Sequence, residues 1–351
     1  MMSGRMRYGA VATKVRGLFG KRLRAENYQH MASLKSESEV FEYLRQCPAW
    51  SVELSALAST QAGGYLGRIE LETALREQMC VEYASLMHYL SGDDAVVLRF
   101  PVLNAERQAI LNTLRRLKSG GYYKGLPPTN RYLLQSSIDR KALEECKDYD
   151  GLLAAAADSV YLPALRHLRE GVGLPDYTAI DSLLDTVCAS YLSRIIATRY
   201  KGQTKALLLK SHGMQIDINN IMHILRLKRY FPNAGNDVYL TVLNPINYKL
   251  RPEMIHSLCA APDLDAAFAL LQSTPYRDCF ADVDVSMAEN ACRRMLYTFF
   301  RRTLVSGEPS VHTPIAYLYV KEYELQVLVN ILESIKYGVP HDAVMANLVG
   351  S

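Results

Sequence analysis

At 351 residues, 49% hydrophobic and 22% charged, the chain can bury a sizeable core and is too apolar for disorder. Its 40 basic and 36 acidic residues leave a net charge of +4, too balanced to argue for nucleic-acid binding as a whole-surface property. No stretch approaches the ~18–20 uncharged apolar residues of a membrane span, since the best run, 152–165, is short and broken by Asp158 and Pro163.

The chain opens on a basic amphipathic segment. Arg5, Arg7, Lys14, Arg16, Lys21, Arg22 and Arg24 precede the first acid, Glu26, while Tyr8, Val11, Val15 and Leu18 make one apolar stripe. Such a segment suits a transit peptide, a membrane-surface helix, a protein-docking helix or a solvated basic face. Further along, 71–90, 186–200 and 287–305 are free of Gly and Pro and predict long helices. The one good strand candidate, 237–243, is equally readable as helix, and Pro245 ends it. The expected fold class is all-α.

An internal repeat organises these elements. Leu23 to Met31 can be laid over Ile138 to Cys146 and Leu250 to Leu258, with Pro252 early in its helix, where a missing N–H costs little. Phe41 to Pro48 matches Phe268 to Pro275, and Leu153 to Val160 is the weakest copy because it lacks the proline. Gly92, Gly202 and Gly307 each follow a long helix, as a left-handed cap would. Last, Glu106, Asp217 and Glu324 begin one pattern. Ile110, Ile221 and Leu328 follow at +4, Asn112, His223 and Asn330 at +6, and Leu114, Leu225 and Leu332 at +8. Lys118, Arg229 and Lys336 come at +12, so an acid early and a base late would suit the helix dipole. The landmarks recur in one order at steps near 110, which defines three homologous helical units, 1–125, 126–240 and 241–351, packed as one body. Three such units can form a pseudo-threefold ring or funnel, or an open superhelix.

Catalytic signatures are scarce. The segment Gly17 to Lys21 lacks P-loop spacing, and Asp93-Asp94 lacks the second Asp cluster that a magnesium-dependent all-α synthase needs. The eight histidines form neither H-E-x-x-H nor a di-iron pairing, and His223 stands where sister copies carry Asn. Cys47, Cys80, Cys146, Cys188, Cys259, Cys279 and Cys292 are widely spaced without C-x-x-C, which suits thiols used as small hydrophobes in a reducing compartment. No secretory signal, catalytic residue, metal site or cofactor is expected. The sharpest constellation is Glu106, Asp217 and Glu324. They either project into a shared central surface that meets a basic partner, or serve as helix charges bridged to a neighbouring unit. Lys118, Arg229 and Lys336 carry the same two readings.

The stretch Ile216 to Arg226 resembles the helix D-x-x-N-(aliphatic)-x-x-(aliphatic)-L-R of the C-type subunits of V-type/A-type ATPases, a family whose eukaryotic members are called d. Tyr8 to Arg16, followed by Leu23 to Tyr28, is similar to that family's opening. Glu322 to Leu332 and the Lys336–Gly338 tail resemble its last helix, with Gln326-Val327 where the family carries Arg-Asn. The resemblance spans essentially the whole chain. It implies a funnel-shaped, non-catalytic rotor-coupling protein, prokaryotic by length, on the cytoplasmic face of the membrane. Its implied partners are the central-stalk subunits D and F and the membrane proteolipid ring (K/c type), and its implied role is torque transmission for proton or sodium transport. Contact residues would then include Glu106, Asp217, Glu324, Lys118, Arg229, Lys336 and Arg16, with the basic first helix near the stalk or anionic headgroups. A generic helical-repeat adaptor for another complex would share these features.

Overall fold

The computed structural model describes residues 4–60, 67–119, 131–170 and 177–339; the expected border at 125/126 and the side chain of Arg5 lie outside them. The described residues are helical and contain no strand. In chain order the helices are α1 (Gly4–Gly20), α2 (Ala25–Ser33), α3 (Glu37–Gln46), α4 (Ser51–Thr60), α5 (Arg68–Met87), α6 (Gly92–Val97) and α7 (Phe100–Lys118). There follow α8 (Arg140–Glu145), α9 (Tyr149–Ala155), α10 (Leu162–Glu170), α11 (Tyr177–Arg199), α12 (Gly202–Tyr230) and α13 (Asn236–Val242). The last are α14 (Pro252–Ala260), α15 (Leu264–Leu271), α16 (Arg277–Phe280), α17 (Ala288–Ser306) and α18 (His312–Lys336). The ambiguous segment 237–243 is therefore helix: it is α13, and Leu243 ends it in extended backbone.

Local chemistry explains several starts and stops. Pro252 sits in the first turn of α14, as its fixed φ favours. The helices α3, α9 and α15 are each capped at the same repeat position, five residues before the matched Phe41, Leu153 and Phe268. There Ser36, Asp148 and Asp263 accept from the amides of Glu39, Gly151 and Ala266. These caps satisfy an amide that the first helical turn leaves bare. The cap before Leu153 stands at the same spacing although that segment lacks the proline. Gly92 and Gly202 adopt φ of +55° and +57°, so both make the left-handed step expected of them, and each begins the next helix at once. Gly307 does not, because its φ is not positive. Its N–H bonds Thr303 O instead, and an added Cβ would strike that carbonyl.

The chain divides into two compact units, one of Met1–Asp94 with Asn290–Ser351, the other of Ala95–Glu289. In the first, α18 packs against α1, α2, α3 and α5. Ile315, Ala316, Leu318, Leu325, Leu328, Ile331 and Leu332 are buried along it, while Glu322 and Gln326 mark its exposed side. Met31, Val40, Phe41, Leu44, Trp50, Leu54, Leu71 and Leu75 complete that core. Tyr8 OH and Arg7 both donate to the buried Asp94, which ties α1 to the start of α6. Burial next to this carboxylate pushes the Tyr8 phenol up to about 12. In the second unit α11 packs against α7, α12 and α13, while α15 lies against α12 and α14. None of the seven cysteines forms a disulfide, and five of them are buried.

His312 opens α18 fully buried, stacked on Phe300 at 5.8 Å and edge-on to Phe299, and neither ring nitrogen has a partner among the described residues. Burial drives its pKa down to about 4. The unfolded chain, titrating near 6.5, then takes up the proton first as pH falls. The contribution of neutral His312 is therefore full above pH ~6.5 and is lost progressively toward pH ~4, about 2 kcal/mol by pH 5. His312→Leu should remove that slope. Urea unfolding at pH 7 and pH 5 checks this; equal pH dependence in variant and wild type would refute it.

Candidate functional site

The repeat acids lie inside the protein. Glu106 and Asp217 are 0% exposed and Glu324 is 5% exposed. Each accepts hydrogen bonds from the segment that opens another copy. Asp217, on α12, takes the amides of Tyr248, Lys249 and Leu250 at 2.9, 2.7 and 2.9 Å, just before α14. Glu106, on α7, takes the Ser137 amide at 2.8 Å and the Ser136 and Ser137 hydroxyls, just before α8. Glu324, on α18, takes the Leu23 amide at 3.2 Å, just before α2. Leu23, Ile138 and Leu250 are the matched first residues of the repeat. The three matched acids thus hold the segments that lead into three matched helices, α8, α14 and α2.

A second grip comes from the knuckle after the short helix. The Trp50 indole donates to Glu324 at 2.6 Å, and the Tyr276 phenol donates to Asp217 at 2.6 Å. Tyr161, the equivalent aromatic of the middle copy, reaches Leu103 O one turn before Glu106 at 2.9 Å. Burial and the adjacent carboxylate raise the Tyr276 phenol well above its ordinary range, and burial is the largest cause for Tyr161 too. All three aromatics are buried.

The three carboxylates are neutralised differently. Asp217 relies on backbone dipoles and one phenol. Glu106 adds an ion pair to Arg99 at 3.7 Å. Glu324 sits in a charged network with Lys321, whose ammonium lies 3.6 Å from it, 3.7 Å from Glu82 and 3.5 Å from the centroid of the Trp50 ring. Lys321 also donates to Ala49 O, and Tyr317 and Gln78 donate to Glu82. Burial pushes the Glu324 carboxyl up, Lys321 and the Trp50 and Leu23 donors hold it down, and Glu82 adds to the upward push.

The motif residues of α12 do one task together. Asn220 exchanges two hydrogen bonds of 2.9 Å with the Asn244 backbone, and Asp217 holds 248–250. Gly213, one turn before Asp217, faces Tyr248, and a Cβ there would lie 2.5 Å from the Tyr248 side chain. Only a bare backbone lets that segment come close enough to use Asp217.

This geometry corrects two expectations. Burial leaves Glu106, Asp217 and Glu324 no surface for a basic partner. Asp217 and Glu324 also lie in the middle of α12 and α18, beyond the first turn where the helix dipole acts. The bases do come late. Lys118 and Lys336 are exposed at their helix ends, near the rings of Tyr177 and Tyr337, and Arg229 is half-buried and donates to Val285 O. Arg16 is exposed on α1. His223 is half-buried with its pKa lowered, chiefly by burial. The described residues contain no group of three metal-ligating side chains and no helix long and apolar enough to cross a membrane. Trp50, Tyr161, Tyr276 and Lys321 were missed by the sequence reading; the aromatics follow the matched 41–48 segment and its two counterparts closely enough to be found.

The architecture is that of an all-helical protein whose buried acids hold the segments leading into α2, α8 and α14. The chain belongs to the ATP synthase (C/AC39) subunit family: the family model vATP-synt_AC39 matches residues 11–347, nearly the whole length. No curated protein matches the chain.

Asp217→Ala should strand the Leu250 amide and the Tyr276 phenol, both buried, together with two part-buried amides, and cost about 3–5 kcal/mol, since each unsatisfied buried group costs about 1–3 kcal/mol before relaxation. Asp217→Asn, which keeps one acceptor oxygen, should lose less. Gly213→Ala should destabilise by about 1–2 kcal/mol, because the clash with Tyr248 outweighs the ~1 kcal/mol of gained helix propensity. Urea unfolding measures all three; neutral Asp217→Ala or stabilising Gly213→Ala would contradict the junction.

Proposed function

We propose that the chain is the rotor-coupling subunit of a V/A-type rotary ATPase, joining the central-stalk subunits D and F to the membrane proteolipid ring. It is non-catalytic in this reading and transmits torque between ATP chemistry and proton or sodium movement. The observation that carries the reading is the family match over residues 11–347.

The physics of the interior agrees. A part that passes torque must not yield at its joints. Each joint between copies is a buried carboxylate on backbone amides, and opening one would leave both charge and amides unpaired. The three copies, with their borders near 125 and 240, would form the pseudo-threefold body that the repeat suggests. Partner contacts would then fall to exposed cations, among them Lys118, Lys336 and Arg16, with half-buried Arg229 beside them. The protein would sit peripherally at the cytoplasmic face of the membrane.

Affinity purification of the tagged full-length chain from its own host, extracted in mild detergent, tests this. Nucleotide-binding, stalk and proteolipid subunits should co-purify in fixed ratio. Recovery of the chain alone, or with unrelated proteins, would overturn the proposal.

A further inference from the structure

Two of the helices that carry the matched acids grip their short partner helix at its far end as well. Arg116 stands ten residues after Glu106, and Lys228 stands eleven after Asp217. Lys228 is buried, and its ammonium donates to Cys259 O at 2.7 Å and to Ala261 O, at the end of α14, with the centroid of the Tyr239 ring 5.0 Å away. The Arg116 guanidinium donates to Leu143 O at 2.8 Å and to Glu144 O at 2.7 Å, at the end of α8. A helix leaves its last carbonyls without internal donors, and its dipole makes that end negative, so a cation there serves both needs.

The third pair lacks the cation. Ten and eleven residues after Glu324, α18 carries Ser334 and Ile335. The Ser334 hydroxyl donates to Asn330 O on its own helix, and Ile335 packs on the apolar core. The short helix here is α2, and it ends as the other two do. The residue after its last turn, Leu34, has ψ of 155°, against 137° at Cys146 and 139° at Ala261. Among the described residues no donor reaches the carbonyls of Ala32, Ser33 or Leu34.

A cavity of about 230 Å³ lies where the cation would stand. Ala32, Leu34, Ile331, Ser334, Ile335 and Val339 line it, so it adjoins the carbonyl end of α2 and holds both matched positions of α18. Its lining is chiefly aliphatic. Lys35 also lines it, but is exposed, and its ammonium makes no bond to these carbonyls. The sequence after Val339, from Pro340 to Ser351, contains neither lysine nor arginine.

We propose that this cavity binds a primary alkylammonium, which takes at the end of α2 the place that Lys228 takes at the end of α14. The charge and form of the ligand are read from that side chain: one compact cation on two carbonyls, carried by a flexible aliphatic stem. Ile331, Ile335 and Val339 offer the stem an apolar wall. A bare metal ion would leave that wall unused, and an anion would meet the negative end of the helix dipole. The inference does not depend on the rotary-ATPase reading.

The test adds pentylammonium, pentanol and pentanoate in turn to the full-length chain at neutral pH and equal ionic strength, and reads binding by calorimetry and by the rise in Tm. The ammonium should bind at least about threefold tighter than the alcohol, as a helix C-terminus favours cations, and the carboxylate should not bind. Ile335→Lys places a cation on the protein itself. It should abolish the response to pentylammonium and give a higher Tm than its neutral counterpart Ile335→Gln. Ser334→Arg serves the same purpose if Ile335→Lys does not fold. Nα-acetyl-lysine N-methylamide separates two sources of the group: binding of this probe too would support a lysine side chain of another protein, and binding of pentylammonium alone would support a free amine. Equal binding of alcohol and ammonium, binding of neither, or an undiminished response in the cation-bearing variants would overturn the inference. So would a Tm loss on Lys35→Met as large as that on Lys228→Met, because Lys35 would then be the cap.

Discussion

The interaction on which the rest of this structure depends is a buried carboxylate accepting backbone amides. A carboxylate inside a protein costs several kcal/mol unless partners replace its water. The backbone amides of the segment leading into a helix have no partner within that helix and need an acceptor of their own. Placing Asp217 beneath the segment that leads into α14 removes both deficits together, and Glu106 and Glu324 do the same before α8 and α2. Because the two deficits cancel only in one arrangement, the junction sets position as well as stability.

The three junctions differ in how they reach neutrality. Asp217 is served by neutral dipoles, so its energetics hang on close approach, and Gly213 permits that approach. Glu324 is served by a full charge, Lys321, shared with Glu82, and its carboxyl is pushed up in consequence of burial. Coupled buried charges of this kind stand or fall together. The Trp50 ring under the ammonium and the indole N–H on the carboxylate make one side chain serve both partners.

The chain belongs to the family of ATP synthase C/AC39 subunits, and these joints lie in its interior. They also explain why the most conspicuous acids are poor candidates for contact with another protein. Polar groups engaged in holding copies together are unavailable outside.

Much of the fold was legible from the sequence because it rests on local rules. Helical periodicity, the early Pro252, and the turn glycines Gly92 and Gly202 are short-range effects, and the repeat register follows from spacing alone. Gly307 escaped, since a glycine after a helix does not reveal its own φ. The 237–243 segment stayed ambiguous because a short apolar run fits strand and helix alike. The three acids were visible as a set, for their spacing repeats, yet their use was not. Whether a carboxylate meets solvent, a partner or an amide some 30 to 300 residues distant is decided by tertiary packing. The sequence by itself determined the helices and the recurring spacing of the three acids. Only the tertiary structure decided that the matched acids turn inward, because burial and hydrogen-bond pairing depend on neighbours that spacing along the chain does not specify.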